Sequence, residues 1–153
     1  MKILNLFKTR KVQEAQAKLC RLINLTTELN FRAMEVRDDQ RCLRVLPWVL
    51  TPERDGEFDL QETSFGISKD VSSLGFRMLF LVYPDAKRYL VSHILKHSGV
   101  FQNYHFVCEV VDIGRFAPNI HSAGMKVIES LENEKLPLDI SAFYDAYRDQ
   151  YFA

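Results

Sequence analysis

Two arginines four residues apart, Arg37 and Arg41, are followed after a gap of 28 residues by Asp70-Val71-Ser72-Ser73-Leu74-Gly75. A guanidinium offers a planar fork of donors that fits phosphate oxygens or the O6/N7 edge of guanine, where a lysine offers only a point charge. The Asp70 carboxylate can accept from guanine N1–H and N2–H, the Ser72 hydroxyl can donate or accept, and Gly75 admits a turn with positive φ. Together these residue types suit a phosphorylated guanine ligand. Arg44 follows closely and offers a third guanidinium, although on a strand it can equally point away from the site. Each residue also has an ordinary role open to it. Asp38 and Asp39 can pair with the arginines in a solvated linker, and Asp70 and Ser72 can simply bond nearby backbone to shape a turn. Turn shaping is compatible with binding, and Leu74 is expected in the core.

The order and spacing of these residues resemble the PilZ domains, bacterial receptors for cyclic di-GMP. Their signature is R-x-x-x-R on the segment entering a small β-barrel, then (D/N)-x-S-x-x-G on a following strand and turn. All five positions match, at Arg37, Arg41, Asp70, Ser72 and Gly75. The resemblance covers roughly residues 35 to 130, including the apolar stretch from Leu43 to Leu50 and a late strand pair at Phe106–Val111 and Met125–Ile128. It implies an α+β, mainly β fold built on a small split antiparallel barrel. It also implies that Arg37 and Arg41 clamp the phosphates and a guanine, that Asp70 and Ser72 meet the guanine polar edge, and that Gly75 shapes the turn. The linker at 30 to 42 would order around the ligand and reposition the N-terminal helix, passing the signal to a partner protein through that helix or the C-terminal aromatic tail. No cofactor beyond the ligand is implied. Val36, just before the motif, adds no guanidinium for a second ligand molecule, and stoichiometry stays open. The alternative is a PilZ-like adaptor that binds protein but no nucleotide.

Composition agrees with a local rather than a global anion site. Twenty basic and twenty acidic residues balance in a chain of 153, so the broad positive field of a nucleic-acid binder is absent. Three cysteines, Cys20, Cys42 and Cys108, stand at no metal spacing and fit a reducing compartment. No apolar run approaches a spanning helix and the apolar patch at Met1–Lys8 is shorter than a signal-peptide core, so a cytoplasmic protein without stable membrane insertion is expected. Phosphate-loop, dinucleotide and nucleophile-elbow motifs are missing, and a non-enzyme is expected. His93 and His97 lack the intervening Glu of a metalloprotease helix and are expected on an exposed polar face. Cys108, between Val107 and Val110, is expected to serve packing.

The elements that must hold these residues follow from periodicity. From about 9 to 29 there is no glycine or proline, and Val12, Ala15, Leu19, Leu22, Thr26 and Leu29 recur at steps of three and four. That stripe predicts a helix whose apolar face packs on the barrel, with self-pairing into a homodimer left open. Strands are predicted at 43–51, 64–72 and 75–83, with a turn cluster from Thr51 to Gly56, and again at 104–112 and 124–130 around a Pro118-Asn119 loop. Between them, Leu90, Val91, Ile94 and Leu95 have helical spacing, with Asp85 as a cap and Gly99 as a stop, which predicts an inserted helix near 85–97. After Pro137 a final helix is predicted, with Phe143, Tyr147 and Tyr151 on one face. The resulting division is an N-terminal helical extension at 1–34, the barrel at 35–132 and a C-terminal helix at 133–153.

Overall fold

The computed structural model describes residues 2–26, 42–43, 45–72, 74–97, 99–136 and 138–152. Helix α1 runs Lys2–Thr26, and strands follow at Cys42–Leu43 (β1), Pro47–Arg54 (β2), Glu57–Phe58 (β3), Ser64–Ser72 (β4), Gly75–Phe80 (β5), Arg88–His97 (β6), Val100–Ala117 (β7) and Ile120–Leu131 (β8). Helix α2 spans Leu138–Phe152. All strand pairs are antiparallel, in the order β4-β5-β8-β7-β6-β2, and pairing of β2 back onto β4 closes six strands into a barrel. Closure removes the exposed edges that open sheets must otherwise protect. The mainly β architecture expected from the sequence, a small antiparallel barrel with a helix before and after it, is therefore present.

Short turns set the registers. Asp55 and Gly56 join β2 to β3 with φ of 52° and 83°, the type I′ combination that matches strand twist. Gly99, with φ 79°, turns β6 into β7. Asn119, with φ 64°, lies in the turn between β7 and β8 after Pro118.

The barrel interior holds Trp48, Phe76, Met78, Phe106, Cys108 and Met125, with Trp48 edge-on to Phe76 at 4.5 Å between ring centroids. Ala15, Leu19 and Leu22 of α1 are fully buried in this same cluster. Three positions of the heptad stripe are thus committed to the barrel and present no surface to a second helix. Lys11 with Glu129 at 3.5 Å, and Lys18 with Glu132, tether the polar flank of α1 to β8 and the segment after it. Lys18 also holds the Glu132 carboxyl below its ordinary pKa. Burial pushes the Cys108 thiol well up, which makes it a packing group rather than a nucleophile. On the outside, α2 covers a second cluster, in which Ile140 and Tyr144 meet Val49, Leu90 and Val107.

The inserted helix near 85–97 is not there; the segment forms strand β6. The physical reason is that both faces of β6 are covered. Tyr89 and Val91 point into the barrel while Leu90 lies in the cluster under α2, and every residue from Tyr89 to Ile94 is buried. A strand covered on both faces reads as a continuous apolar run and loses its alternation, and chance spacing then mimics a helix. Asp85 caps nothing; it bonds Arg54 at 2.6 Å. His93 is correspondingly buried rather than exposed, bonded through Nδ1 to the Pro47 carbonyl at 2.8 Å, and burial lowers its pKa. Helix α2 docks through one face. That face is carried by Ile140 and Tyr144 with Phe143 partly buried at its margin, and the side chains of Tyr147 and Tyr151 lie outside the described residues.

Candidate functional site

The D-x-S-x-x-G motif forms the β4–β5 hairpin. Ser72 stands opposite Gly75, so the chain reverses between them. Ser72 is 3% exposed, and its Oγ accepts from the Leu74 N–H at 3.1 Å, the local turn bond that serine favours. A hydroxyl that accepts this bond keeps its own proton to donate. Leu74, expected in the core, is 52% exposed, because a two-residue turn leaves its side chain outside the closed barrel. Gly75 is required for a reason other than turn conformation. A Cβ there would lie 1.9 Å from the Met125 carbonyl oxygen on β8, so two backbones approach too closely for any side chain.

Asp70 is half-buried and follows a bulge between Ser68 and Asp70. The extra residue, Lys69, shifts the alternation of β4. Gly66 and Ser68 are buried before it, and Val71 packs in the core after it, so Asp70 projects to the opposite face from Val71. Bulges re-aim side chains in this way, and this one sits just ahead of the motif's first residue.

Arg37, Arg41 and Arg44 lie outside the described residues. What the structure does give is the strand between Arg41 and Arg44. Cys42, peptide-bonded to Arg41, pairs with Val71, and Leu43 pairs with Asp70. The two residues that follow Arg41 are therefore paired alongside the first two residues of the D-x-S-x-x-G motif. The link is direct strand pairing of β1 with β4.

A row of residues crosses four strands at this level. Asp70 on β4 faces Arg77 on β5, Arg77 faces Gly124 on β8, and Gly124 faces Asp112 on β7. Arg77 spans the side-chain gap at Gly124, with Nη1 donating to Asp112 Oδ1 at 2.5 Å and Nη2 to Oδ2 at 3.4 Å. The next row holds Ser72, Gly75, Lys126 and Glu109. Between these rows and the α1 residues Val12 and Gln16 lies a groove of about 460 Å³, within the usual range of small-molecule sites. Its lining includes the Ser72 hydroxyl, the cations of Arg77 and Lys126, and the Asp112 carboxylate.

Arg77 and Lys126 escaped the sequence analysis because they belong to no motif, and β5 shows its alternation only once its register is known. The available signal was an arginine two residues after Gly75 inside an otherwise apolar strand. Among the described residues no three His, Cys, Asp or Glu side chains gather as a metal site, and no helix is long and apolar enough to cross a membrane.

No protein-family model and no curated protein matches this sequence. Among solved structures the chain is similar to the Bacillus subtilis inhibitor of motility (MotI/DgrA), with a TM-score of 0.47 and 14% identity, covering 78% of this chain. It spans about half of that structure's chain, 54% of its length. The barrel stands on its own strand pairing: six antiparallel strands closed on themselves, with the D-x-S-x-x-G hairpin at the margin of a groove.

Proposed function

We propose that the protein is a PilZ-like receptor for cyclic di-GMP that passes ligand binding on to a partner protein. The observation that supports this reading is the pairing of Cys42 and Leu43, the two residues that follow Arg41 in the chain, with Val71 and Asp70 of the D-x-S-x-x-G motif. Arg37 and Arg41 take the phosphates and a guanine, Asp70 and Ser72 take the guanine polar edge, and Gly75 sets the close approach of β5 to β8. Alpha-helix α1 packs into the same barrel and lines the same groove, so a ligand held there bears on the helix directly. Such a coupling works only to the extent that the ligand prefers one arrangement of helix and barrel.

An adaptor without nucleotide binding is favoured by a different observation. Leu81, Val82 and Tyr83 are consecutive and 75%, 67% and 56% exposed, an apolar surface of the kind that meets other proteins. Titration calorimetry with cyclic di-GMP separates the two. The wild type is expected to bind, and Arg41→Ala and Asp70→Ala are each expected to weaken binding by about tenfold or more, the effect of one charge-assisted contact. A folded wild type that gives no heat of binding overturns the receptor and leaves the adaptor. Affinity unchanged by both substitutions puts the site elsewhere on the barrel.

A further inference from the structure

We propose that Arg77 is a further guanidinium of the ligand groove, and that Asp112 holds it as an internal stand-in for a ligand phosphate. The inference rests on the cyclic di-GMP reading above and names a residue outside its motif. Residues directly opposite in antiparallel strands share a face, so Arg77 stands on the same face as Asp70. It also lines the groove beside Ser72, Gly75 and Lys126. A carboxylate and a phosphate present the same pair of acceptor oxygens to a guanidinium fork. That fork is filled by Asp112 through both Nη atoms.

The surroundings are shaped for this pair. Gly124 lies between the two in register, and a Cβ at that position would come within 2.6 Å of Asp112 Oδ2. The Gly124 N–H donates to Asp112 Oδ1 at 3.3 Å, which orients the carboxylate toward Arg77. The side chains of Arg77 and Asp112 are 26% and 54% exposed, so water reaches the bridge. An ion pair this wet contributes little to stability and exchanges readily for another anion. Asp112 then acts as a competitor built into the fold: it keeps the guanidinium oriented and raises the ligand concentration needed to displace it.

Calorimetry on the full chain, with cyclic di-GMP as the titrant and thermal unfolding run in parallel, tests the proposal. Arg77→Ala is expected to bind about tenfold more weakly than wild type, and Asp112→Asn, which keeps an acceptor for the Gly124 N–H, roughly fivefold more tightly. If Arg77→Ala fails to fold, Asp112→Asn carries the test alone. Wild-type affinity in the substituted proteins overturns the role of Arg77 and leaves the receptor reading standing. Weaker binding by Asp112→Asn also overturns the proposal, because the carboxylate would then serve the ligand rather than oppose it. A folded wild type that does not bind sinks the receptor reading itself, and this inference with it.

Discussion

Gly75→Ala is expected to lower the stability of the fold by roughly 4 kcal/mol, a large part of the about 5–15 kcal/mol that holds a typical domain together. The added methyl group would meet the Met125 carbonyl oxygen at 1.9 Å, its carbon at 2.9 Å and the Lys126 Cα at 3.1 Å. All three are backbone atoms. Overpacking a core costs about 1–3 kcal/mol when side chains can shift rotamer to make room. Here a strand must move, and β5 is held by β4 on one side and β8 on the other within a closed barrel. Gly114→Ala is the matched control, since a Cβ there meets nothing within 4 Å. Denaturant midpoints of the two variants check the expectation, and equal midpoints would show that β5 and β8 separate easily. The result bears on function as well. A loss of ligand binding in Gly75→Ala reports the barrel, not a contact with ligand, so contacts are better probed at Asp70 and Arg41.

What the sequence made legible follows from which faces are covered. Helix α1 shows one buried and one exposed side, and its period of three to four is visible in Ala15, Leu19 and Leu22, whereas in β4 the small residues Gly66 and Ser68 are buried and Phe65 and Ile67 lie exposed, against the apolar alternation of the sequence. Strand β6 was misread because α2 lies over the face that would otherwise be polar. The same cover hides His105 beside Tyr144, while His93 is hidden on the other face, against Trp48 in the barrel. Arg37, Arg41, Asp70, Ser72 and Gly75 stand out by motif, and the structure adds where Asp70, Ser72 and Gly75 sit. Arg77, Asp112 and Lys126 could not be found so, because their association is a matter of register between β5, β7 and β8. Shifts at Val107/Cys108 and Val110/Asp112 set the register of β7 on β8, and neither has a sequence period.

Acidification from about pH 6.5 to about pH 4 is expected to remove on the order of 3 kcal/mol of stability through His105 alone. The side chain is 2% exposed, beneath α2, with the Tyr144 ring 4.9 Å away between centroids. Its Nε2 faces Asn133 Oδ1 at 2.9 Å, and an amide oxygen only accepts, so Nε2 carries the proton. Nδ1 then accepts from the Ser92 hydroxyl at 2.7 Å, and the neutral ring is satisfied on both sides. Burial pushes the pKa down to about 4; Asn133 opposes that shift as a hydrogen-bond partner, Lys18 adds to it, and Asp145 and Glu132 work against it. Between about pH 6.5 and pH 4 the unfolded chain binds a proton that the folded chain refuses. The stabilisation is therefore complete above about pH 6.5, shrinks as pH falls, and is gone below about pH 4. His93, lowered by burial as well, acts in the same direction. Urea unfolding followed by the fluorescence of Trp48, the single tryptophan, measures the slope, with His105→Gln as the comparison. Exposed carboxylates are common to both proteins, so the wild type should lose more stability on acidification than His105→Gln. Parallel profiles for the two would mean that His105 takes its proton without leaving its place between Ser92, Asn133 and Tyr144, and that α2 is not docked through the neutral ring.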